Sequence, residues 1–262
     1  LEANKGAYSY AWMIIFAVIA AIMVLIGLYH IRMLPSNQIP STTKKTTSEV
    51  GRELVVVIAN FFTKKHIFYY ICFIILYRLA EGFIMKIAPL FLRASREVGG
   101  LGLSLKEIGT LNGVFGSAAF VLGSLLAGIY VSKFGLKRTL FTLCCIFNLP
   151  FLAYTFLAVT QPTNVYLIGT CITMEYFGYG FGFVGLTLFM MQQIAPGKHQ
   201  MSHYAFASGI MNLGVMLPGM VSGYFSDLLG YRNFFIYVLI ATIPAFLITY
   251  FIPFTYDDSK NK

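Results

Sequence analysis

Charged side chains are scarce in this 262-residue chain. Asp, Glu, Lys and Arg make up 11% of it, against 58% hydrophobic residues and a mean hydropathy of +0.74. A soluble domain carries about 25% charged residues, so the composition excludes one and describes a polytopic membrane protein. Cysteine is sparse too. Cys72, Cys144, Cys145 and Cys171 all fall inside apolar runs, without metal-ligand spacing or a disulfide framework, and read as small buried hydrophobes. No nucleophile elbow, metal cluster or phosphate loop occurs, so neither an enzyme nor a cofactor or metal is expected. Gly178-Tyr-Gly180-Phe-Gly182 lies inside an apolar run with no strand before it and is no dinucleotide fingerprint. No cleavable signal pattern opens the chain, which starts at Leu1 just ahead of an apolar run; an upstream piece is expected to be missing.

What remains is grease with a basic bias. About seven runs are long enough to cross a bilayer core of about 30 Å as helices. They cover approximately Tyr8–Ile31, His66–Leu92, Ile108–Val131, Thr139–Val159, Val165–Gln193, Tyr204–Phe225 and Phe234–Pro253. The formal charge of +9 would suggest nucleic acid in a soluble protein. Here Lys and Arg sit between the apolar runs, where the bilayer accounts for them, and no nucleic-acid partner is expected. One side of the membrane collects twelve of them and the other five, which predicts a cytoplasmic C-terminus and long linker. Residues 32–65 form that linker, rich in Ser, Thr, Lys and Pro. Within it Val50, Leu54, Val57, Ile58 and Phe61 recur at helical spacing, which predicts an amphipathic helix over Ser48–Phe62 on the membrane surface. His203-Tyr204, at the start of the sixth run, reads as surface polar.

The second run carries three charges near its middle: Arg78, Glu81 and Lys86. Each costs roughly 2.5–3.5 kcal/mol at bilayer depth on insertion scales, so they must face one another, a polar cavity or a cargo. Helical spacing places Arg78, Gly82, Met85 and Pro89 on one stripe, flanked by Glu81 and Lys86. Arg78 and Glu81 are three apart and can pair. Either the pair only neutralises two costly charges, or Glu81 takes up a proton and releases Arg78 to cargo. Glu175, in the fifth run, has no cation within four residues on its own helix; it serves either as a proton site or as a packing hydrogen bond. Lys86 snorkels or contacts an anionic cargo, and Asn112 and Asn212 glue helices or touch ligand.

Two segments echo each other. Gly128, Ser132 and Gly135, followed by Lys137 and Arg138, match Gly223, Asp227 and Gly230, followed by Arg232. They end the third and sixth runs on opposite sides of the membrane, as an inverted repeat of two three-helix units predicts. The leading helices then correspond, one carrying Glu81 and the other Glu175. Gly109/Gly113, Gly178/Gly182 and Gly219/Gly223 are small-xxx-small pairs that predict close helix packing.

The segments Leu76-Tyr77-Arg78-Leu-Ala-Glu81-Gly82-Phe, Glu107-Ile-Gly109-x-x-Asn112-Gly-x-Phe-Gly116, Met174-Glu175 and Tyr204-Ala205 resemble the AmpG-type muropeptide permeases of the major facilitator superfamily. The likeness implies an all-α membrane fold: one helix (residues 1–31) ending an absent N-terminal half, the linker, and a C-terminal six-helix half over residues 66–262, built as a 3+3 inverted repeat. It implies proton-driven import of anhydro-muropeptides, a small sugar–peptide solute, across the bacterial inner membrane for cell-wall recycling. The absent half would be the chain's partner. Arg78, Glu81, Asn112 and Glu175 would line the central cavity. Gly128 to Arg138 resembles the superfamily's cytoplasmic gating loop, with Ser132 in place of the usual Asp. Gly113 and Val215 stand where a basic residue is expected, Tyr176 replaces an expected Asn, and Lys86 is extra. A carrier of another sugar, peptide or organic anion and a static membrane structural or sensor protein are the competing readings.

Overall fold

A computed structural model describes residues 8–33 and 47–255. Residues 34–46 of the linker, with Lys44 and Lys45, lie outside them, as do Lys5 and the basic tail at Lys260 and Lys262. The chain divides into two compact units, Leu1–Gly51 and Arg52–Lys262. Among the described residues all regular structure is helical. In lipid this is the way a single segment satisfies its own backbone donors and acceptors.

The first unit contains α1, Tyr8–Met33, whose apolar side chains are exposed on every side. A helix apolar all round suits a membrane span. The helix α2, Thr47–Phe62, begins in this unit and runs into the second.

The second unit is a bundle. Its helices are α3 (Ile67–Tyr77), α4 (Leu79–Arg93), α5 (Leu105–Thr110), α6 (Ser117–Phe134), α7 (Leu136–Asn148), α8 (Phe151–Thr160), α9 (Val165–Phe189), α10 (Gln200–Ala241) and α11 (Ile243–Phe251). A π-helical turn, Leu111–Gly116, joins α5 to α6, and another, Met190–Ile194, ends α9. Among the described residues five helical stretches are apolar and long enough to cross a membrane, counting α3–α4 as one, α5–α6 as one, α7–α8 as one and α10–α11 as one, beside α1. The α10–α11 stretch holds two of the expected runs. They are not parted by a loop, as the sequence suggests, but by a break at a single residue, Gly230. The 25 residues of α9 reach about 37 Å at 1.5 Å each, so it is long enough as well.

The main contacts run between the two expected triplets. The leader of the first triplet, α3–α4, packs on α10 and α11, the middle and last elements of the second; the leader of the second, α9, packs on α6, α7 and α8 of the first. Backbones meet closely along both seams. A Cβ on Gly82 would strike Val215 and Pro218 of α10, one on Gly180 would strike the Phe120 carbonyl, and one on Gly123 that of Phe177. Of the three predicted glycine pairs, Gly178/Gly182 is tight at both members, against Ile146 and Phe147 of α7. Gly109, Gly113 and Gly223 face open space instead; spacing marks a small-residue face but not what lies opposite it.

Both ends of the bundle are tied. At one, Arg96 donates to the Gln161 carbonyl (2.9 Å) and the Pro162 carbonyl (2.8 Å), and Gln161 Nε2 donates to the Gly99 carbonyl (2.7 Å). At the other, Lys64 Nζ donates to the carbonyls of Ile194 and Pro196, where the π turn leaves acceptors without helical partners. Burial lowers the Lys64 pKa from its usual 10.5. His203 is buried at this end, with Nε2 3.2 Å from the Val57 carbonyl of α2 and its ring against Phe61. That corrects the surface-polar reading, because the side chain that covers it comes from a helix about 140 residues earlier. The cysteines also differ from expectation: Cys144 is buried, Cys145 and Cys171 are half-buried, and Cys72 is exposed on the outside of α3.

Candidate functional site

The helix that carries the three charges is not continuous. It stops at Tyr77 and restarts at Leu79, with Arg78 between them at φ −104°, ψ 6°. Neither Gly nor Pro adjoins the break. Arg78 is buried, and its Nε and Nη2 donate to the two carboxylate oxygens of Glu81 at 2.6 and 2.5 Å. This fork-on-fork pairing is the strong form of an Arg–carboxylate bond. The same guanidinium approaches the Tyr179 hydroxyl (3.5 Å) and lies 5.5 Å from the centre of the Phe183 ring. Tyr77 donates to the Gly182 carbonyl at 2.9 Å, pinning the other side of the break to α9.

Glu81 lines a small cavity of about 120 Å³. Glu175 lines it too, as do Asn112, Tyr154, Tyr176 and Tyr179. Glu175 is half-buried and has no hydrogen bond or cationic partner among the described residues. Asn112 stands on the π turn between α5 and α6, and its buried Oδ1 accepts no hydrogen bond. An extra residue in a helical turn redirects the side chains around it, and such turns recur at functional sites. The cavity thus gathers one paired carboxylate, one unpaired carboxylate, an unsatisfied amide oxygen and three phenols. Such a set can hold a proton, a water or a hydroxyl-rich ligand group.

The predicted residues therefore separate. Glu81, Asn112 and Glu175 share the cavity, and Arg78 reaches it through Glu81. Lys86 does not line it; exposed on α4, it lays its chain along Gly219 of α10. Of the expected stripe, Met85 and Pro89 line the cavity, while Gly82 is pressed against α10. Asn212 is exposed. The gating-loop residues Gly128, Ser132, Gly135, Lys137 and Arg138 also lie off the cavity, around the α6–α7 junction. There Ser132 bonds the Ile129 carbonyl (2.9 Å) and Thr139 bonds that of Gly135 (2.9 Å). Sequence reasoning missed Tyr154 and Tyr179. Tyr179 had a signal, standing one helical turn beyond Glu175 on the same face; Tyr154 had none.

A larger groove of about 1400 Å³ runs between α6 and α9. Its walls are apolar, including Leu111, Phe115, Leu122, Met174 and Phe177, and its charged groups, Lys106 and Glu107, belong to the first turn of α5. Size favours this groove; chemistry favours the small cavity, where buried ionisable groups meet.

No family model matches the chain. Curated relatives do. Over 209 residues, 80% of this chain, it is 22% identical to the anhydromuropeptide permease of Escherichia coli K12 and covers 41% of that protein. Over 238 residues, 89% of this chain, it is 25% identical to a protein of Rickettsia bellii that carries the transporter name AmpG 1, covering 56% of it. Over 201 residues it is 27% identical to the AmpG 2 of Rickettsia prowazekii, with 75% of this chain and 46% of that one aligned. Over most of its length the chain is similar to AmpG-type permeases. It spans about half the length of these relatives, which are named as permeases and transporters, not as enzymes. Apolar helices and relatives agree on an all-α, multi-pass membrane protein seated in a lipid bilayer.

Proposed function

We propose that this chain is one half of a proton-coupled carrier of the major facilitator type that imports anhydro-muropeptides across the bacterial inner membrane. One observation carries the reading: Glu81, bonded to Arg78, and Glu175, bonded to nothing described, line the same cavity beside a broken helix. Broken helices and intramembrane acids are how carriers build ion and substrate sites near mid-membrane. Protonation of Glu81 removes the charge that holds Arg78, and the freed guanidinium then meets an anionic group of the cargo. Glu175 exchanges protons with the cavity without having to break an ion pair first. The Lys and Arg bias supports a cytoplasmic C-terminus. The absent half is the partner, with α1 as its last helix, and the apolar α6–α9 groove is part of the surface it covers.

Uptake of labelled anhydro-muropeptide by cells carrying the complete gene tests this. Proton-dependent accumulation, competed by the free N-acetylglucosaminyl-anhydro-muramyl ligand, is expected. Transport that this ligand does not compete supports a second reading, a carrier of the same fold for another sugar, peptide or organic anion. Gly113, Tyr176 and Val215, which depart from the AmpG pattern, motivate that alternative.

A further inference from the structure

The helix α2 has an apolar arc wider than the protein covers. Taking 100° per residue from Val57, Phe61 falls at about 40°, Leu54 at about 60°, Ile58 at about 100°, Phe62 at about 140° and Val55 at about 160°. Val57 and Phe61 are buried, Phe61 against His203 and Phe206 at the start of α10. The rest of the arc is bare: Leu54 is 55% exposed, Val55 66% and Phe62 47%. Arg52, Val56 and Asn60 occupy the opposite side, at about 220°, 260° and 300°, and are exposed.

The bare part is not isolated. The Phe62 ring lies 6.5 Å from that of Phe68, which is 71% exposed in the first turn of α3, where the lipid-facing surface of a membrane span begins. Lys65, exposed, stands between the two helices. We infer that α2 has two apolar faces, one seated on α10 and the other embedded in the headgroup–acyl boundary of an anionic bilayer surface, with Arg52 and Lys65 on the headgroups. Continuity with the surface of α3 selects lipid as the occupant. An amphipathic helix lying in the interface plane behaves in this way; α2 itself carries Glu49 and Glu53 beside Arg52, so the hold on an anionic leaflet falls to Arg52 and Lys65, each of which adds to it. The inference is independent of the cargo.

Trp12 is the one tryptophan of the sequence, so a Trp12→Phe background permits single-tryptophan reporters in the full chain. We compare Val55→Trp with Asn60→Trp in vesicles of neutral lipid, alone or mixed with phosphatidylglycerol, the lipid brominated near the headgroup or near the chain end. Val55→Trp is expected to be quenched at least twofold more by shallow than by deep bromines, and more than Asn60→Trp. Phosphatidylglycerol should strengthen that quenching at low salt, and Arg52→Gln with Lys65→Gln should remove the gain. Quenching of Val55→Trp by aqueous iodide instead of lipid overturns the inference, and so does shielding from both, which means that protein covers the face. Equal quenching with and without phosphatidylglycerol overturns its anionic-lipid part. Asn60→Trp fluorescence reports whether the chain remains folded around α2 in each preparation.

Discussion

Gly135 and Gly230 hold almost the same unusual backbone conformation, φ 78°, ψ 148° at one and φ 68°, ψ 161° at the other. Each follows a glycine seven residues back and a polar residue three back, and each stands where the middle helix of a triplet gives way to the last. This region of backbone space is nearly closed to residues with a Cβ. The echo seen in the sequence is therefore an echo of geometry, and the glycine in it is required by the turn rather than by a neighbour, since nothing stands within 4 Å of the Cβ position at either residue.

Substitution of these two glycines should cost stability through strain alone. Gly135→Ala and Gly230→Ala are each expected to destabilise by about 1–3 kcal/mol, the usual cost of a residue held in such a region. Gly128→Ala, at an equally open but helical position, should be neutral or stabilising by up to about 1 kcal/mol. Thermal unfolding of the purified chain in detergent separates them. Melting of Gly135→Ala at the wild-type temperature would show that the turn relaxes without cost.

Breaking the buried ion pair from one side should be worse than removing it. Arg78→Gln and Glu81→Gln each leave a partner buried without its counter-charge, at about 3–5 kcal/mol, whereas the double variant removes both charges and should recover much of that loss. Uptake by the complete carrier should stay lost in all three. If the double variant transports, the pair belongs to the scaffold and the cargo does not use Arg78.

Much of this was legible in the residues, and the failures have physical causes. Spacing of three along a helix announced the Arg78–Glu81 bond, because both ends lie on one local element. The break at Arg78 was not announced: the adjoining residues are Tyr77 and Leu79, and no residue that ends helices by itself is present. Its surroundings are tertiary, with Tyr77 bonded to Gly182 and Arg78 over Phe183. The echo paired the helices that carry Glu81 and Glu175, but only the resemblance to the AmpG type implied that both carboxylates line one cavity, as they do. The cover over His203 could not follow from its neighbours, since it comes from α2. The choice left open for Lys86 could not be made from the residues, because a charge in an apolar run looks alike whether it points into a cavity or along an exposed seam.

Glu175 should be dispensable for assembly and indispensable for coupling. Glu175→Gln keeps the size and polarity of the side chain in the cavity but cannot exchange a proton. Membrane insertion and thermal stability should stay close to wild type, while proton-linked uptake by the complete carrier falls to background. Normal accumulation against a gradient by this variant removes Glu175 from the mechanism and leaves Glu81 to act alone.

The Lys64 contacts at the end of α9 give the last test. One ammonium serves two carbonyls, those of Ile194 and Pro196, that the π turn leaves outside the helical ladder. Lys64→Met retains the chain length but no donor, so both acceptors must find water. Bonds from a charged donor are worth about 1.5–3 kcal/mol each when buried, but this side chain is only partly so. A net loss of about 1–2 kcal/mol is expected, together with faster amide exchange over residues 190–196. Lys64→Arg should restore part of it. Exchange that quickens instead around Arg96 and Gln161, at the opposite end, would mean that the substitution loosens the bundle as a whole, and that Lys64 is not a local clasp on the π turn.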